Sequence, residues 1–319
     1  MENEQRMVDN TQNGGQGRVA TRQQKGFWSR LRLTEEIEGY LMILPWLIGF
    51  LLFTAGPMLT GLGLVFAHYD ILSPPRWAGL ANLQRLLRDD LVMVATLNTF
   101  VLTILSVLPR LVIALLLALL LNQKLRGIGL FRTIYYTPTI VPAFASVVLW
   151  ILLLQKDAGA VNYGLRSIGL PALGWLTDPV TAKFAIALMT IFYFGPQMLV
   201  FLAALQGVPL QLYESAMVDG AGSLTRFWTI TLPLITPAIF FNMVVLIVET
   251  LQIFTPPFLS TMGGPMNSTT TSVMYIYEQG FGSLRMGYAS ALSWLLFLLI
   301  LLFTTLQFRL SGWVHYESN

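Results

Sequence analysis

The chain has 319 residues, of which 55% are hydrophobic and only 11% are charged. Because soluble domains carry about one quarter charged residues, this composition excludes an ordinary soluble protein and indicates an integral membrane protein. The formal net charge of +3 is spread over several loops, which argues against nucleic-acid binding. The absence of cysteine excludes disulfides and thiolate chemistry, and two isolated histidines are too few to predict a metal site.

The N-terminal part is predicted to lie outside the membrane. It begins with a polar stretch that lacks the apolar core of a signal peptide, so we expect a disordered tail. A short interfacial helix around Trp28 and Arg30 follows, and Thr34 is predicted to be the N-cap of the first membrane helix. The predicted domains are a cytoplasmic tail over 1–33 and a transmembrane domain over 34–319.

Six apolar stretches follow, each long enough to cross a hydrocarbon core of about 30 Å at about 1.5 Å per helical residue. Their predicted limits are 39–66, 94–121, 130–154, 183–206, 233–256 and 288–309. A cytoplasmic N-terminus puts about eleven Lys and Arg residues inside and about seven outside, in agreement with the positive-inside rule. The predicted fold class is therefore all-α and integral to the membrane, with six transmembrane helices.

A polar stretch at about 207–233 separates the fourth and fifth apolar segments. Pro209 is suited to the first turn of a helix, and Gly220 is suited to the left-handed position that ends one. Ser223 is predicted to cap a second helix, and Pro233 marks the beginning of the fifth segment. We therefore predict a compact helix, turn and helix on the cytoplasmic side, with small residues at its apex.

This loop resembles the cytoplasmic loop of permease subunits of binding-protein-dependent ABC importers. The signature of that loop is Glu-Ala-Ala, three residues, Gly, nine residues, Ile, one residue and Leu-Pro. The chain keeps this spacing, with one serine in place of alanine, at Glu214, Ser215, Ala216, Gly220, Ile230, Leu232 and Pro233.

Further stretches extend the resemblance over nearly the whole chain after the tail. They include LPWLIGFLLFTAGPML at position 44, FRTIYYTP at 131, GGP at 263 and MGYASALSWLLFLLILLFTTLQFRL at 286. Their character is that of the carbohydrate-uptake branch, the sugar permeases of the maltose and glycerol-phosphate type. The chain departs from this pattern at Thr255-Pro256-Pro257 and at Arg110.

The resemblance implies a type I ABC importer permease fold, in which the loop docks as a coupling helix on a separate ATPase subunit. The residues that it assigns to ATPase coupling are Glu214, Ser215, Ala216, Asp219, Gly220, Ala221, Gly222, Ile230, Leu232 and Pro233. The chain lacks a Gly-x-x-x-x-Gly-Lys-Ser/Thr phosphate loop, so we expect a transport subunit that is not itself an enzyme and has no cofactor. ATP and Mg would be bound by the partner ATPase.

The implied partners are a second homologous permease, two ATPase subunits and an extracytoplasmic solute-binding protein. Together they would import a sugar or a related polyol across the plasma (inner) membrane of a prokaryote by alternating access. For the substrate path, the chain offers aromatic and amide side chains, none of which is assigned a role: Asn98, Tyr135, Tyr136, Trp150, Tyr193, Asn242 and Gln252. The small number of basic residues in the spans argues against an obligatory anion.

Two alternatives come from other functional classes. An ion-coupled secondary transporter would explain the charged residues Arg110 and Glu249 inside predicted spans, but it would not explain the loop signature. A membrane enzyme would need paired carboxylates, an activated serine or a metal cluster, which the sequence does not offer. For Arg110 and Glu249, three placements stay open: pairing across helices, exposure to the substrate path, or a shifted segment that brings Arg110 near water.

Overall fold

The structure is a computed structural model that describes residues 24–123 and 126–314. Within these residues the chain is almost entirely helical, and its strands are the two-residue β1 (Ala67–His68) and β2 (Arg76–Trp77), which pair antiparallel. The predicted tail residues 1–23, Lys124 and His315 lie outside the described residues. The chain divides into two compact units, with the boundary after Thr60.

The first unit contains a long helix that begins earlier than the sequence predicts. Helix α1 runs over Gln24–Phe50, continues through a π-helical turn at Leu51–Ala55, and leads into α2 (Gly56–Leu64). The prediction that Thr34 is an N-cap is wrong, because the helix passes through this position without a break. No glycine or proline lies between Phe27 and Glu38, so nothing in this stretch interrupts the helical backbone.

The second unit contains the remaining helices. Before the polar loop these are α3 (Ala81–Arg88), α4 (Asp90–Leu121), α5 (Ile128–Ile140), α6 (Ala143–Leu153), α7 (Ala160–Ser167), α8 (Pro179–Ile191) and α9 (Gly195–Gly207). From the loop onwards they are α10 (Leu210–Val218), α11 (Ser223–Arg226), α12 (Leu232–Leu234), α13 (Thr236–Leu251), α14 (Thr255–Ser260), α15 (Ser272–Tyr277) and α16 (Met286–Arg309). Two π-helical turns, Phe227–Thr231 and Glu278–Gly282, and a final 3-10 turn, Ser311–Trp313, complete the set.

Among the described residues, four helical stretches are long and apolar enough to cross a membrane: Ile37–Leu64, Asp90–Leu121, Thr236–Ser260 and Met286–Arg309. Two bent helix pairs bring the number to six. The pair α5 and α6 is bent by 95°, and the pair α8 and α9 by 50°. The predicted third and fourth segments are therefore broken helices, not the continuous ones that we expected.

Prolines explain both breaks. Val141 precedes Pro142 and is extended, with φ −66° and ψ 130°, because the proline ring disfavours helical backbone at the preceding residue. In the other pair, α9 starts at Gly195 with Pro196 in its first turn, where a missing N–H costs nothing. A run of apolar residues thus predicts the length of a span but not its straightness.

Helix α4 is the centre of the second unit and packs against α8, α9 and α13. Its Ala114 and Ala118 are fully buried against Met198 and Phe201 of α9. Small side chains on one helix let the backbone of its neighbour approach closely, which is how helices associate when both are surrounded by lipid. Polar residues of α4, α9 and α13 meet beside this contact.

Candidate functional site

The polar loop forms the helix, turn and helix that the sequence predicts. Helix α10 begins after Pro209 and ends with Asp219 as its C-cap. Gly220 follows with φ +78°, the left-handed conformation that glycine adopts without steric cost. The N–H of Gly220 donates to the carbonyl of Met217 at 3.1 Å, and the N–H of Ala221 donates to that of Ala216 at 2.8 Å. This pair of bonds is a Schellman motif, and it satisfies carbonyls that the helix end would otherwise leave free.

The second limb of the loop differs in one detail from the prediction. Gly222, not Ser223, is the N-cap of α11, and no side chain caps that helix. Gly222 has φ −67° and ψ 168°, an extended backbone that leaves its own carbonyl to accept from the N–H of Arg226. The two limbs are joined by a 2.8 Å hydrogen bond between the Tyr213 hydroxyl and the Thr231 hydroxyl. The turn is therefore a defined structure that the chain holds by its own contacts.

The apex of the loop presents an apolar surface to its surroundings. Val218 is 88% exposed, and Leu212, Met217 and Leu224 are exposed as well. Glu214 and Asp219 lie on the exposed surface of the same limb, whereas Ile230, Leu232 and Pro233 are half-buried on the other. On the second limb, Leu224 and Trp228 are exposed as well, and no part of the described chain covers them. Large apolar side chains exposed beside carboxylates are typical of a surface that another protein covers.

A second polar centre lies where α4, α9 and α13 meet. The Arg110 guanidinium donates through Nη1 to Oε1 of Glu249 at 3.0 Å and through Nε to Oε1 of Gln197 at 3.2 Å. The side chain of Arg110 is 4% exposed and that of Glu249 is 51% exposed. Of the three placements that the sequence left open, the structure selects pairing across helices. One end of the pair is buried and the other is open.

Gln197 is a member of this centre that the sequence analysis missed. Besides accepting from Arg110, it accepts through its backbone carbonyl from the Nδ2 of Asn242 at 3.3 Å. Both amides are almost fully buried. Buried polar groups need partners, so Gln197 and Asn242 serve to hold α9 and α13 in register around the charge. The signal available in the sequence was the position of a glutamine in an apolar run directly after Gly195-Pro196.

The other proposed path residues have separate surroundings. Asn98 is buried and donates to the carbonyls of Asn267 and Thr270 at 2.7 and 3.1 Å, so its amide holds a loop. Trp150 packs edge-on against Phe192, with ring centroids 5.5 Å apart. The remaining ones are half-buried or exposed and are not gathered in one cavity of the described residues: Tyr135, Tyr136, Tyr193 and Gln252.

A third polar cluster lies at the end of the unit opposite the loop. The hydroxyls of Tyr275 and Tyr288 both donate to Oδ2 of Asp89, at 2.5 and 2.6 Å. Burial opposes ionisation of Asp89, but these bonds, the Leu91 N–H and the charge of Arg85 outweigh it and lower the pKa of this carboxyl. Burial together with the bond to Asp89 raises the pKa of Tyr275 to about 12. The cluster joins the beginning of α4 to α15 and α16.

The fold and these sites define a polytopic, all-helical membrane protein whose structured helix–turn–helix loop precedes its fifth span. Residues 94–316 match the family model described as "Binding-protein-dependent transport system inner membrane component", and the chain belongs to that family. The resemblance found in the sequence is thereby confirmed, as is the predicted permease fold. The chain is a membrane-spanning transport subunit of a family of inner membrane components.

Curated relatives cover almost the whole chain. The "Probable ABC transporter permease protein YesP" of Bacillus subtilis is 36% identical over 91% of this chain and 96% of its own length. The "Trehalose/maltose transport system permease protein MalF" of Thermococcus litoralis is 34% identical over 88% of this chain and 96% of its own length. Among solved structures, a chain of a bacterial ABC transporter involved in the import of the acidic polysaccharide alginate superposes with a TM-score of 0.77 at 28% identity. The superposition covers 89% of this chain and 100% of that one.

Proposed function

We propose that the chain is one membrane-spanning subunit of an ATP-driven importer that moves a sugar or a related polyol into the cell. The relatives that carry this proposal are named for trehalose/maltose transport and for import of a polysaccharide. The chain aligns with both along nearly its whole length, so the shared fold includes both the membrane helices and the loop.

The loop around Gly220 would couple this subunit to an ATPase. The single observation that supports this role best is the Schellman turn, which holds an exposed apolar apex in a fixed shape. A rigid protrusion can transmit the movement of a docked subunit to the membrane helices, whereas a flexible loop would change its own conformation instead. The contact surface would comprise Glu214, Ser215, Ala216, Asp219, Gly220, Ala221 and Gly222, with Ile230, Leu232 and Pro233 joining it to the fifth span.

Four partners complete the proposed complex. A second homologous permease would form the other half of the path, and two ATPase subunits would bind ATP and Mg beneath the loops. A soluble binding protein would deliver the substrate from outside. The alginate importer has been solved in complex with its "alginate pentasaccharide-bound periplasmic protein". A chain of that complex superposes on this one with a TM-score of 0.77. The N-terminus would be cytoplasmic, on the same side as the coupling loop.

The Arg110–Glu249 pair separates this proposal from an ion-coupled secondary transporter. Ionisable residues inside spans either mark an ion pathway or pair with one another. Glu249 is paired with the buried Arg110 at 3.0 Å, which accounts for both charges without a coupling ion. A membrane enzyme finds no support either, because the loop and the pair together offer positioning and not a nucleophile with its base.

The coupling role can be tested with arginine substitutions at the apex. Gly220→Arg puts a bulky side chain at φ +78°, so it strains the turn as well as the surface. Gly222→Arg is the sharper variant, because φ −67° accepts any residue and nothing lies within 4 Å of the added Cβ. Gly312→Arg is the matched control: it also has open space around it, and the predicted topology puts it on the same side of the membrane.

Each variant is co-expressed with the partner genes and assayed for ATP hydrolysis and sugar uptake in proteoliposomes. We expect Gly222→Arg to insert normally but to lose uptake and sugar-stimulated hydrolysis, while Gly312→Arg behaves like the parent. Normal uptake by both apex variants would contradict the coupling role.

A further inference from the structure

A polar pocket of about 390 Å³ lies at the end of the unit opposite the 207–233 loop. Its walls come from the β1–β2 hairpin, from α3 and from the first turn of α16. The hairpin and α16 approach closely because residue 287 is glycine: an added Cβ there would overlap the carbonyl of Ala67. The N–H of Gly287 also donates to the carbonyl of Tyr69, and this bond joins α16 to the hairpin. The pocket is thus built by contacts between segments that are far apart in the sequence.

Three arginines from three different elements line this pocket: Arg76, Arg85 and Arg285. Within the described residues, none of these guanidinium groups has a carboxylate within 4.0 Å. Arg85 lies over the ring of Tyr288 at 4.3 Å, a cation–π contact that fixes its position but leaves its donors free. All three side chains are exposed to solvent, and the charge of Arg85 also acts on the carboxylate of Asp89. A bound anion would therefore be held by direct, charge-assisted hydrogen bonds from these guanidinium groups.

The remaining lining reduces this charge only in part. Asp70 lies in the wall, and its Oδ1 accepts from the Ser73 hydroxyl at 2.7 Å and from the Ser73 N–H at 2.8 Å. These bonds, the hydroxyl first, lower the pKa of Asp70, so it stays ionised and subtracts one charge. The positive end of the α16 dipole lies at the same place and adds to the potential for an anion.

The pocket also contains groups suited to hydroxyls and to a sugar ring. Asn82 is 3% exposed, and its Nδ2 donates to the carbonyls of Val65 and Ala67, both at 2.9 Å. The Oδ1 of that amide has no donor among the described residues and remains available to accept from a hydroxyl. Tyr69, which is half-buried, supplies aromatic surface. The volume lies in the range of small-ligand sites, about 300–1,000 Å³.

From these features we propose that the pocket binds the carboxylate of an acidic monosaccharide unit, through Arg76, Arg85 and Arg285, on the side where substrate arrives. Guanidinium forks match the geometry of a carboxylate, whereas a neutral sugar would leave the net positive charge of this wall uncompensated. The inference deepens the proposed import function, on which the word substrate rests. It extends the proposed sugar class toward acidic saccharides.

The test measures binding without transport. The full-length chain, with whatever subunits co-purify with it, is placed in nanodiscs of uncharged lipid and titrated with glucuronate and with glucose by saturation-transfer NMR. The variants are Arg76→Gln and Arg285→Gln, and the matched control is Arg88→Gln, which removes one charge from α3 outside this pocket. We expect glucuronate to bind and glucose not to compete, with affinity falling roughly fivefold in each pocket variant and not at all in the control. High salt should weaken binding.

Three results would overturn the proposal. These are no glucuronate binding to the parent chain, equal binding of glucose, and titrations that the pocket variants leave unchanged. If the pocket variants weaken only the docking of the solute-binding protein, the arginines contact that protein and not a saccharide. A failure of the import function itself would show at purification, when no ATPase accompanies the chain, and it would leave the binding titration intact.

Discussion

Removing Glu249 should destabilise the protein more than removing its partner Arg110. In Glu249→Leu, a guanidinium with 4% exposure keeps its charge and loses the only carboxylate that it contacts in the described residues. Stranding a buried charge in this way costs about 3–5 kcal/mol. An independent estimate comes from membrane insertion, where an unpaired arginine at the helix centre costs about 2.5–3.5 kcal/mol. The two ranges overlap near 3 kcal/mol.

The opposite variant leaves a different residue unpaired. In Arg110→Leu the carboxylate of Glu249, 51% exposed, can still be solvated, and the main loss is the donor to Gln197. One buried acceptor without a partner costs about 1–3 kcal/mol. The double leucine variant removes both charges and should recover up to about 2 kcal/mol relative to Glu249→Leu, because well-packed apolar pairs often replace buried ion pairs at little cost.

The measurement is reversible unfolding in mixed micelles, followed by tryptophan fluorescence, for the parent, both single variants and the double variant. The parent is predicted to be the most stable. The double variant and Arg110→Leu should follow at similar values, and Glu249→Leu should be the least stable. If the two single variants lose equal stability and these losses add in the double variant, the two residues do not interact and the predicted asymmetry is wrong.

Three further predictions concern other parts of the second unit. The lowered pKa of Asp89 means that its bonds stabilise the fold above its ordinary pKa of 3.8 and are lost as pH falls through the lower folded value. The raised pKa of Tyr275 means that its contribution is complete below pH 10 and is lost as pH rises through about 12. Melting temperatures measured over a pH series should fall at both the acidic and the alkaline end. In Asp89→Asn, the fall at the acidic end should be smaller. Gly195→Ala should cost about 1–3 kcal/mol, because the new Cβ overlaps Oγ1 of Thr139, and adding Thr139→Ala should restore part of it. Asn162→Ala should cost about 3 kcal/mol or more in the same unfolding assay, because this fully buried amide makes five hydrogen bonds.

Each of these has a clear contrary result. If Asp89→Asn leaves the loss of stability at low pH unchanged, other carboxylates cause that loss. A Gly195→Ala protein as stable as the parent would mean that α5 and α9 can separate freely. An Asn162→Ala variant within about 0.5 kcal/mol of the parent would mean that its bonds are replaced by water.

The loop was predictable from sequence because its structure is local. Pro209 and Gly220 act through backbone preferences that hold in almost any surroundings, and the structure places both where these preferences predict. The cap at Ser223 was predicted one residue late, since glycine and serine both suit an N-cap and neighbouring candidates compete. Local rules therefore specify the element and its turn, with an uncertainty of about one residue at the boundary.

The bends and the polar centre were less predictable for physical reasons. Hydropathy averages over a window, so it reports that 130–154 and 183–206 are apolar and is insensitive to a change in direction. Pro142 and Pro196 carried that information, but a proline can also lie inside a helix, as Pro109 does in α4. The partner of Arg110 is 139 residues away, and such distant pairs depend on how helices pack.

We propose that this chain works as one of two membrane-spanning subunits of an ATP-driven importer. The measurement that tests it most directly is ATP hydrolysis by the complex purified through a tag on this chain, in liposomes, with the solute-binding protein and a panel of neutral and acidic sugars. We expect ATPase subunits to co-purify, and we expect one sugar, together with the binding protein, to stimulate hydrolysis and to accumulate inside. A chain that purifies alone and carries solute down an ion gradient without ATP would contradict it.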